Sequence, residues 1–247
     1  VPEIHLFCGS MFTPVLEETV RAFATREGVN IYPRWEGCGK LVAAMKSISD
    51  AKLFPDAYLS CDRPFFDVVR DRFNDPQIIS SNEIVLAIRR DSATKIQSPR
   101  DLLDRSLRFG LCDPDHSALG RKTRELLSQP PFDRMYERIK DRARVTVDTG
   151  PTLISQLLSG GLDAAIVYRS NVMARPEHLK QLEILTIDGQ GQGNTESVQP
   201  WAIGRQSRNQ QLMSRLFEAL TSAESQTRFN AAGFRWLYPP PSKSRDD

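Results

Sequence analysis

The sequence lacks the features that identify several large classes of protein. It contains no long uncharged apolar run, so we expect no membrane-spanning segment. It also has no P-loop, G-x-G-x-x-G or G-x-S-x-G motif, which are the signatures of nucleotide binding and of serine hydrolases. The three histidines, His5, His116 and His178, are too scattered for a zinc or catalytic cluster. We therefore expect no catalytic residues, no metal site and no cofactor.

The four cysteines, Cys8, Cys38, Cys61 and Cys112, include no C-x-x-C pair. This spacing gives no support to a zinc ribbon or a thioredoxin-like motif. An even number permits disulfides in an oxidising compartment, with three complete pairings among which the sequence does not choose. The cysteine count is therefore compatible with an exported protein but does not predict which disulfides form.

The chain also lacks an excess of charge of one sign. Its 33 Lys and Arg residues and 31 Asp and Glu residues leave a net charge of +2, and the two signs are interleaved. A nucleic-acid surface normally needs a concentrated basic patch, so we expect no nucleic-acid partner. No secretory signal precedes Val1, so the protein is either cytoplasmic or, as we expect, has had its signal removed.

Short apolar runs alternate with amphipathic stretches, which is typical of α/β layers around a largely parallel sheet. Strands are predicted at residues 4–7, 31–35, 57–59, 83–88, 107–111, 145–147, 164–168 and 197–203. The helices predicted between them include residues 15–25, 40–48 and 209–220. The first helix should begin between Ser10 and Pro14, since Ser10 and Thr13 are both suitable N-caps.

Four strand-to-helix turns are rich in small or hydroxyl residues: Cys8-Gly9-Ser10, Gly37-Cys38-Gly39, Ser117-Ala118-Leu119-Gly120 and Thr149-Gly150-Pro151. Ligands of open α/β sheets bind beyond the carboxyl ends of the strands, where helix N-termini offer free N–H groups. Each turn alone is ordinary for an α/β protein. Four converging turns would form a cup for a small anion without a metal or a fixed cation.

These turns lie within a longer series of motifs that resembles the periplasmic molybdate-binding proteins and their archaeal tungstate/molybdate-binding relatives. The similar segments follow the family's order from about residue 4 to 234. They are Phe7-Cys8-Gly9-Ser10-Met11, Gly37-Cys38-Gly39, residues 56–62, residues 82–88, Cys112-Asp113-Pro114-Asp115 with Gly120, residues 160–170, and Ala231-Ala232-Gly233-Phe234. One such motif is weak, whereas six or seven in register are specific.

The resemblance implies an α/β, two-lobed type II periplasmic binding protein fold. Each lobe would be a mostly parallel sheet flanked by helices, and two hinge crossovers would join the lobes. Lobe one would hold residues 1–82 and 200–238, and lobe two residues 83–199. The crossovers would lie near Asn82-Glu83 and near Gln199-Pro200. Residues 239–247 are rich in proline and charge and are predicted to be a disordered tail.

The same resemblance implies a solute-binding protein without enzymatic activity that captures a tetrahedral oxyanion, molybdate or tungstate, for an ABC importer. Its partners would be that anion and the importer's membrane permease. The protein would be a monomer in the periplasm or outside the cell, with membrane association as a further option. The family's ligand contacts fall on Ser10, Cys38, Leu119, Gly150 and Tyr168, with Gly9, Gly39 and Lys40 as secondary candidates.

Two positions depart from the family pattern. Cys38 stands where the family has serine, and a thiol is the weaker hydrogen-bond donor. The anion would then be held through the N–H of Cys38 or Gly39, or the thiol itself would be used. Lys40 would either reach the ligand or be solvated. The archaeal relatives add carboxylates, whereas Ser117 and Gly150 or Thr152 stand near those positions here, which favours tetrahedral capture.

The sequence leaves several alternatives open. The four cysteines could surround the cleft as a soft-metal or thiophilic oxyanion site, or form one disulfide beside buried thiols. The fold could also serve as the ligand-sensing domain of a regulator, which a DNA-binding or membrane-linked output domain in the full gene would indicate. An enzyme on this fold is the third hypothesis, with Cys38 as its single candidate nucleophile.

Overall fold

A computed structural model describes residues 1–187 and 195–239, in which strands and helices alternate along most of the chain. The mixed α/β class is confirmed. The strands are β1 Glu3–Gly9, β2 Asn30–Glu36, β3 Ala57–Leu59, β4 Gln77–Arg89, β5 Phe109–Cys112, β6 Val145–Val147, β7 Ala164–Tyr168, β8 Leu182–Thr186, β9 Glu196–Ile203 and β10 Arg235–Trp236. The helices are α1 Thr13–Glu27, α2 Cys38–Ser47, α3 Arg63–Asp67, α4 Ala118–Ser128, α5 Met135–Ile139, α6 Gly150–Leu158, α7 Arg169–Met173, α8 Gln210–Leu220 and α9 Ala223–Ala231.

The strands form one path in the order β2-β1-β3-β9-β4-β7-β5-β6, with β8 and β10 paired to β4. In the first lobe β2 and β3 flank β1 in parallel. In the second lobe β6 and β7 flank β5 in parallel. The antiparallel pairs involve β4 and β9, the two strands that lie between these groups.

The long strand β4 connects the two lobes. Residues from Gln77 to Glu83 pair with β9, whereas residues from Ile84 to Arg89 pair with β7 and β8. The chain therefore changes lobes close to the first predicted crossover. Gln199 and Pro200 of the second predicted crossover lie inside β9, in register with Ser80 and Ile78. The exact lobe boundaries stay a prediction.

The first helix begins at Thr13, within the predicted range from Ser10 to Pro14, but neither Ser10 nor Thr13 is its cap. Residues Ser10–Phe12 form a 3-10 turn that leads directly into α1 at Thr13. The N-cap is Phe12, and no side chain caps the helix. Thr13 instead donates its hydroxyl to the Ser10 carbonyl at 3.0 Å. Both expected caps were therefore wrong, because the 3-10 turn draws Ser10 and Thr13 into the helical segment.

The sequence pattern does not predict β8 or α9. Helix α9 has little apolar periodicity, since its buried residues are Ser225 and Phe229. Its usable signal is the cap, because the Ser222 side chain accepts a hydrogen bond from the Ser225 N–H. None of the described residues belongs to a helix that is both long and apolar enough to span a bilayer. Of the predicted disordered tail, residues 240–247 lie outside the described part of the chain.

An aromatic cluster fastens the C-terminal segment to the start of α1. The ring of Phe12 lies 6.2 Å from that of Phe229 and 5.6 Å from that of Phe234. Phe229 also packs edge-on against Trp236 at 5.3 Å. Phe12 and Phe229 are fully buried. Because Phe12 and Ser10 belong to the same 3-10 turn, the packing of this cluster helps to hold Ser10 in place.

The substitution Phe229→Ala should lower the free energy of unfolding by about 3–5 kcal/mol, because it removes a fully buried ring and leaves a cavity. Leu53 is 60% exposed, so Leu53→Ala serves as the control and should change that free energy by less than about 0.5 kcal/mol. Urea unfolding followed by circular dichroism measures both. Equal midpoints for the two variants would contradict the structural role of the cluster.

Candidate binding site

A small cavity lies where the two lobes meet. Its volume is about 20 Å³, which is space for a water-sized group. The first lobe contributes Ser10, Met11, Gly37, Cys38 and Cys61 to its lining. The second lobe contributes Ser117, Ala118, Leu119, Asp148, Thr149, Gly150, Pro151, Tyr168 and Asn171. All four of the turns that the sequence singles out therefore reach this one cavity.

The structure brings all five primary candidates to this cavity: Ser10, Cys38, Leu119, Gly150 and Tyr168. Two secondary candidates make other contacts. Gly9 packs against the sulfur of Cys61, and Gly39 donates its N–H to the His116 carbonyl at 3.1 Å. The Gly39 N–H is therefore occupied, and the Cys38 N–H remains available for a ligand. Contact of these residues with a ligand stays a prediction.

Three helices begin at the cavity wall, α2 at Cys38, α4 at Ala118 and α6 at Gly150. The first N–H groups of a helix have no partner within the helix and carry a partial positive charge. The cap residues of α2 and α6 supply no side-chain acceptor. Within the described chain, no backbone acceptor pairs with the N–H groups of Cys38, Leu119 or Gly150. The cavity is therefore surrounded by N–H groups that can donate hydrogen bonds to a bound anion.

Tyr168 adds a hydroxyl donor at the end of β7. Its hydroxyl donates to Ser197 Oγ at 3.2 Å, and the residue is 3% exposed. Burial raises the pKa of Tyr168 well above its ordinary value, and the nearby Asp62 carboxylate raises it further. The phenol is therefore protonated at neutral pH. Since hydroxyl hydrogens rotate, it can turn from Ser197 to a bound anion.

Asn171 is a site residue that sequence reasoning missed. It lines the cavity, and its side-chain Oδ1 accepts the Tyr168 N–H at 3.0 Å. A Cβ at residue 150 would lie 2.1 Å from the same Oδ1, so only glycine allows this contact at the start of α6. Asn171 thus fixes the positions of both Tyr168 and Gly150. Its position three residues after Tyr168, in the first turn of α7, was the available signal.

All four cysteines are free and buried, so no disulfide is present among them. Three lie close together in the first lobe. The N–H of Cys61 donates to the Cys38 sulfur at 3.1 Å, and Cys8 lies near enough for the charge of Cys38 to act on its thiol. Cys112 interacts instead with Ser117 in the second lobe. The expectation that all four cysteines could surround the cleft is met by Cys38 and Cys61 only, since Cys8 and Cys112 are not among the described residues that line the cavity.

The Cys38 and Cys61 thiols differ in acidity. Burial would raise the pKa of Cys38, but hydrogen bonds from Cys61, Tyr58 and Ser60 outweigh burial and lower the pKa. The pKa of Cys61 is raised well above its ordinary value, first by its hydrogen bond to Cys38 and then by burial. Cys38 is therefore the hydrogen-bond acceptor of the pair and Cys61 the donor.

Ion pairs between described residues of the two lobes lie near the cavity. Lys40 of α2 pairs with Asp148 at 2.5 Å and does not line the cavity. Both side chains are substantially exposed, so this pair contributes little stability. Asp62 pairs with Arg121 of α4, and the Asp62 side chain is only 7% exposed. Burial raises the pKa of Asp62, and the Arg121 guanidinium opposes part of that rise.

The lobes approach each other closely at Gly39. A Cβ at this position would lie 2.5 Å from the backbone of His116, which is a contact that real Cβ atoms do not make. The sequence predicts Gly39 as part of a strand-to-helix turn and as a secondary ligand candidate. The structure gives Gly39 a second role, because the absent side chain lets α2 meet the loop before α4.

The arrangement can be compared with known proteins. A model of the bacterial extracellular solute-binding protein family matches residues 4–235. The chain belongs to this family. A protein of Haemophilus influenzae whose name calls it a binding protein is 25% identical over 171 residues, which are 68% of this chain and 66% of the relative. The match thus spans just under two thirds of that relative's length.

Two solved structures share the fold of this solute-binding protein. The sulfate-binding protein SubI of Mycobacterium tuberculosis superposes with a TM-score of 0.78 at 14% identity, covering 97% of this chain and 88% of SubI. The periplasmic molybdate-binding protein of Azotobacter vinelandii superposes with a TM-score of 0.72 at 14% identity, covering 96% of this chain and all of the other. These likenesses confirm the predicted two-lobed type II fold. The family and both structures are binding proteins rather than enzymes.

The substitution Gly39→Ala should open the cleft, because the new methyl group would collide with the His116 backbone. We expect a larger radius of gyration by small-angle X-ray scattering, with unchanged far-ultraviolet circular dichroism. The matched control is Lys46→Ala, an exposed position near the end of the same helix. A radius of gyration equal to that of the control would show that contact at Gly39 does not limit how far the lobes close.

Proposed function

We propose that this solute-binding protein captures a small tetrahedral oxyanion, molybdate or tungstate, between its lobes and delivers it to the membrane permease of an ABC importer. The observation that carries the proposal is the meeting of three helix N-termini at one small cavity. Their free N–H groups and the Tyr168 hydroxyl match the acceptor-only surface of an oxyanion.

The charges around the cavity support a ligand held by neutral donors. Among the described lining residues, Asp148 is the charged one, and Lys40 compensates it. Burying a dianion without matching donors is costly, and charge-assisted hydrogen bonds from N–H and O–H groups offset that cost. The N–H groups of Cys38, Leu119 and Gly150 would supply this compensation from both lobes.

The size of the cavity supports an inorganic ligand. Pockets for organic ligands of drug size measure roughly 300–1,000 Å³, whereas this cavity measures about 20 Å³. A compact ion can be enclosed by a small adjustment of the lobes. A sugar or an amino acid would need them to separate. This difference favours a small oxyanion over an organic solute.

Transport also defines the location and the partner that we propose. The protein would work outside the cytoplasm, in the periplasm or at the outer face of the membrane, and would act as a monomer. Lobe one would comprise residues 1–82 and 200–238, and lobe two residues 83–199. Ligand binding would hold the lobes together, and the permease would recognise the closed form.

Isothermal titration calorimetry with molybdate, tungstate, sulfate and phosphate tests the proposal. We expect molybdate or tungstate to bind with a submicromolar Kd, a binding free energy on the order of −8 kcal/mol or more negative. Sulfate and phosphate are the matched tetrahedral controls and should bind more weakly. Absence of binding heat with all four anions would refute the proposal.

The substitution Tyr168→Phe should weaken molybdate binding about tenfold or more, because a hydrogen bond to a charged partner contributes about 1.5–3 kcal/mol. Tyr136→Phe on α5 is the control, since Tyr136 does not line the cavity. Calorimetry on both variants, with their thermal midpoints recorded, gives the comparison. Equal Kd values for the two variants would remove Tyr168 from the proposed ligand set.

A further inference from the structure

We infer that the thiols of Cys38 and Cys61 form a chelating site for a trivalent arsenic oxyacid, such as arsenious acid, As(OH)3. The inference rests on the proposed function in one respect, namely that both ligands would enter the same cavity. It does not require that the oxyanion be molybdate or tungstate. The inference assigns a neutral, thiol-binding ligand to two side chains, whereas the proposed oxyanion would be held mainly by backbone N–H groups.

The geometry places two free thiols side by side at the cavity wall. Both residues line the cavity, and neither forms a disulfide. The Cys61 N–H lies 3.1 Å from the Cys38 sulfur. A Cβ at residue 9 would lie 2.0 Å from the Cys61 sulfur and 3.4 Å from the Cys38 sulfur. Both sulfurs therefore face the same backbone position, where glycine leaves them room.

Paired thiols suit trivalent arsenic because it is soft and forms stable bonds to sulfur. Each thiol would replace one hydroxyl of As(OH)3. Two As–O bonds break and two As–S bonds form, and the two thiol protons leave with the hydroxyls as two water molecules. Arsenic stays trivalent, so the step needs neither an oxidant nor a reductant. The product keeps one As–OH group.

The surroundings of the pair favour this reaction. Cys38 begins α2, where the helix N-terminus stabilises a thiolate, and the thiolate is the attacking form. Arsenious acid is uncharged at neutral pH, so its entry avoids the desolvation cost of a dianion. The hydroxyls of Ser10 and Tyr168 line the same cavity and can hydrogen-bond the remaining As–OH.

A metal ion fits the described residues less well. No group of three or more His, Cys, Asp or Glu side chains in the described ranges is arranged to hold one. Structural metal sites with soft ligands usually require four protein ligands. Trivalent arsenic needs only two thiols when it keeps one hydroxyl, and the cavity wall offers that number.

Native mass spectrometry of the reduced full chain with sodium arsenite tests the inference. We expect one arsenic per chain, with a mass gain of one arsenious acid less two water molecules, which reports two As–S bonds. The variants Cys38→Ser and Cys61→Ser should each lose this adduct, with affinity reduced at least 100-fold. Cys112→Ser removes a buried thiol that does not line the cavity and should retain the adduct.

The outcomes separate this inference from the proposed function. Molybdate calorimetry on Cys61→Ser and Cys61→Ala shows whether each variant keeps a working cleft. An arsenite adduct that depends on both thiols, in a protein that binds neither molybdate nor tungstate, would support the inference and refute the proposed function. Molybdate binding by the wild type without an adduct, or an unchanged adduct in Cys61→Ser, would overturn the inference.

Discussion

The close approach of α2 to the loop before α4 is the constraint on which the rest of the cleft depends. Gly39 donates its N–H to the His116 carbonyl, and a side chain at residue 39 would collide with that backbone. The contact brings the N-terminus of α2 opposite those of α4 and α6. If the lobes moved apart at this contact, the donors of one lobe would face water instead of the donors of the other.

The cleft keeps its charges away from its centre. Lys40 and Asp148 compensate each other at the rim, and Asp62 and Arg121 form a more buried pair between the same lobes. Apart from Asp148, which pairs with Lys40, the polar groups that line the cavity are N–H groups, hydroxyls, thiols and the Asn171 amide. Dipoles of this kind hold an anion strongly only while water is excluded, because their field is screened when the lobes separate. For the proposed oxyanion ligand, lobe movement would therefore be enough to control capture and release.

Cysteine in the second turn changes the chemistry of one wall. The Cys38 sulfur accepts hydrogen bonds from Cys61 and from the neighbouring hydroxyl network of Tyr58 and Ser60. A serine at the same position could donate to an anion, whereas this sulfur is committed to accepting. The backbone N–H at Cys38 stays free for a ligand, so the position retains its main-chain role while its side chain faces the second thiol.

The sequence by itself determined the α/β class, the order of most strands and helices, and the four turns that reach the cavity, because periodicity, glycine and hydroxyl caps are local signals. The motif series also predicted Ser10, Cys38, Leu119, Gly150 and Tyr168, all of which line one cavity. Tertiary structure decided what depends on contacts distant in sequence. Asn171 packs against Gly150, and Lys40 binds Asp148 across the cleft. The Cys61 N–H donates a hydrogen bond to the Cys38 sulfur. Gly39 forms part of a turn and also allows the two lobes to come into contact. No local pattern encodes these pairings, since the partners lie far apart in the sequence and meet only when the chain has folded.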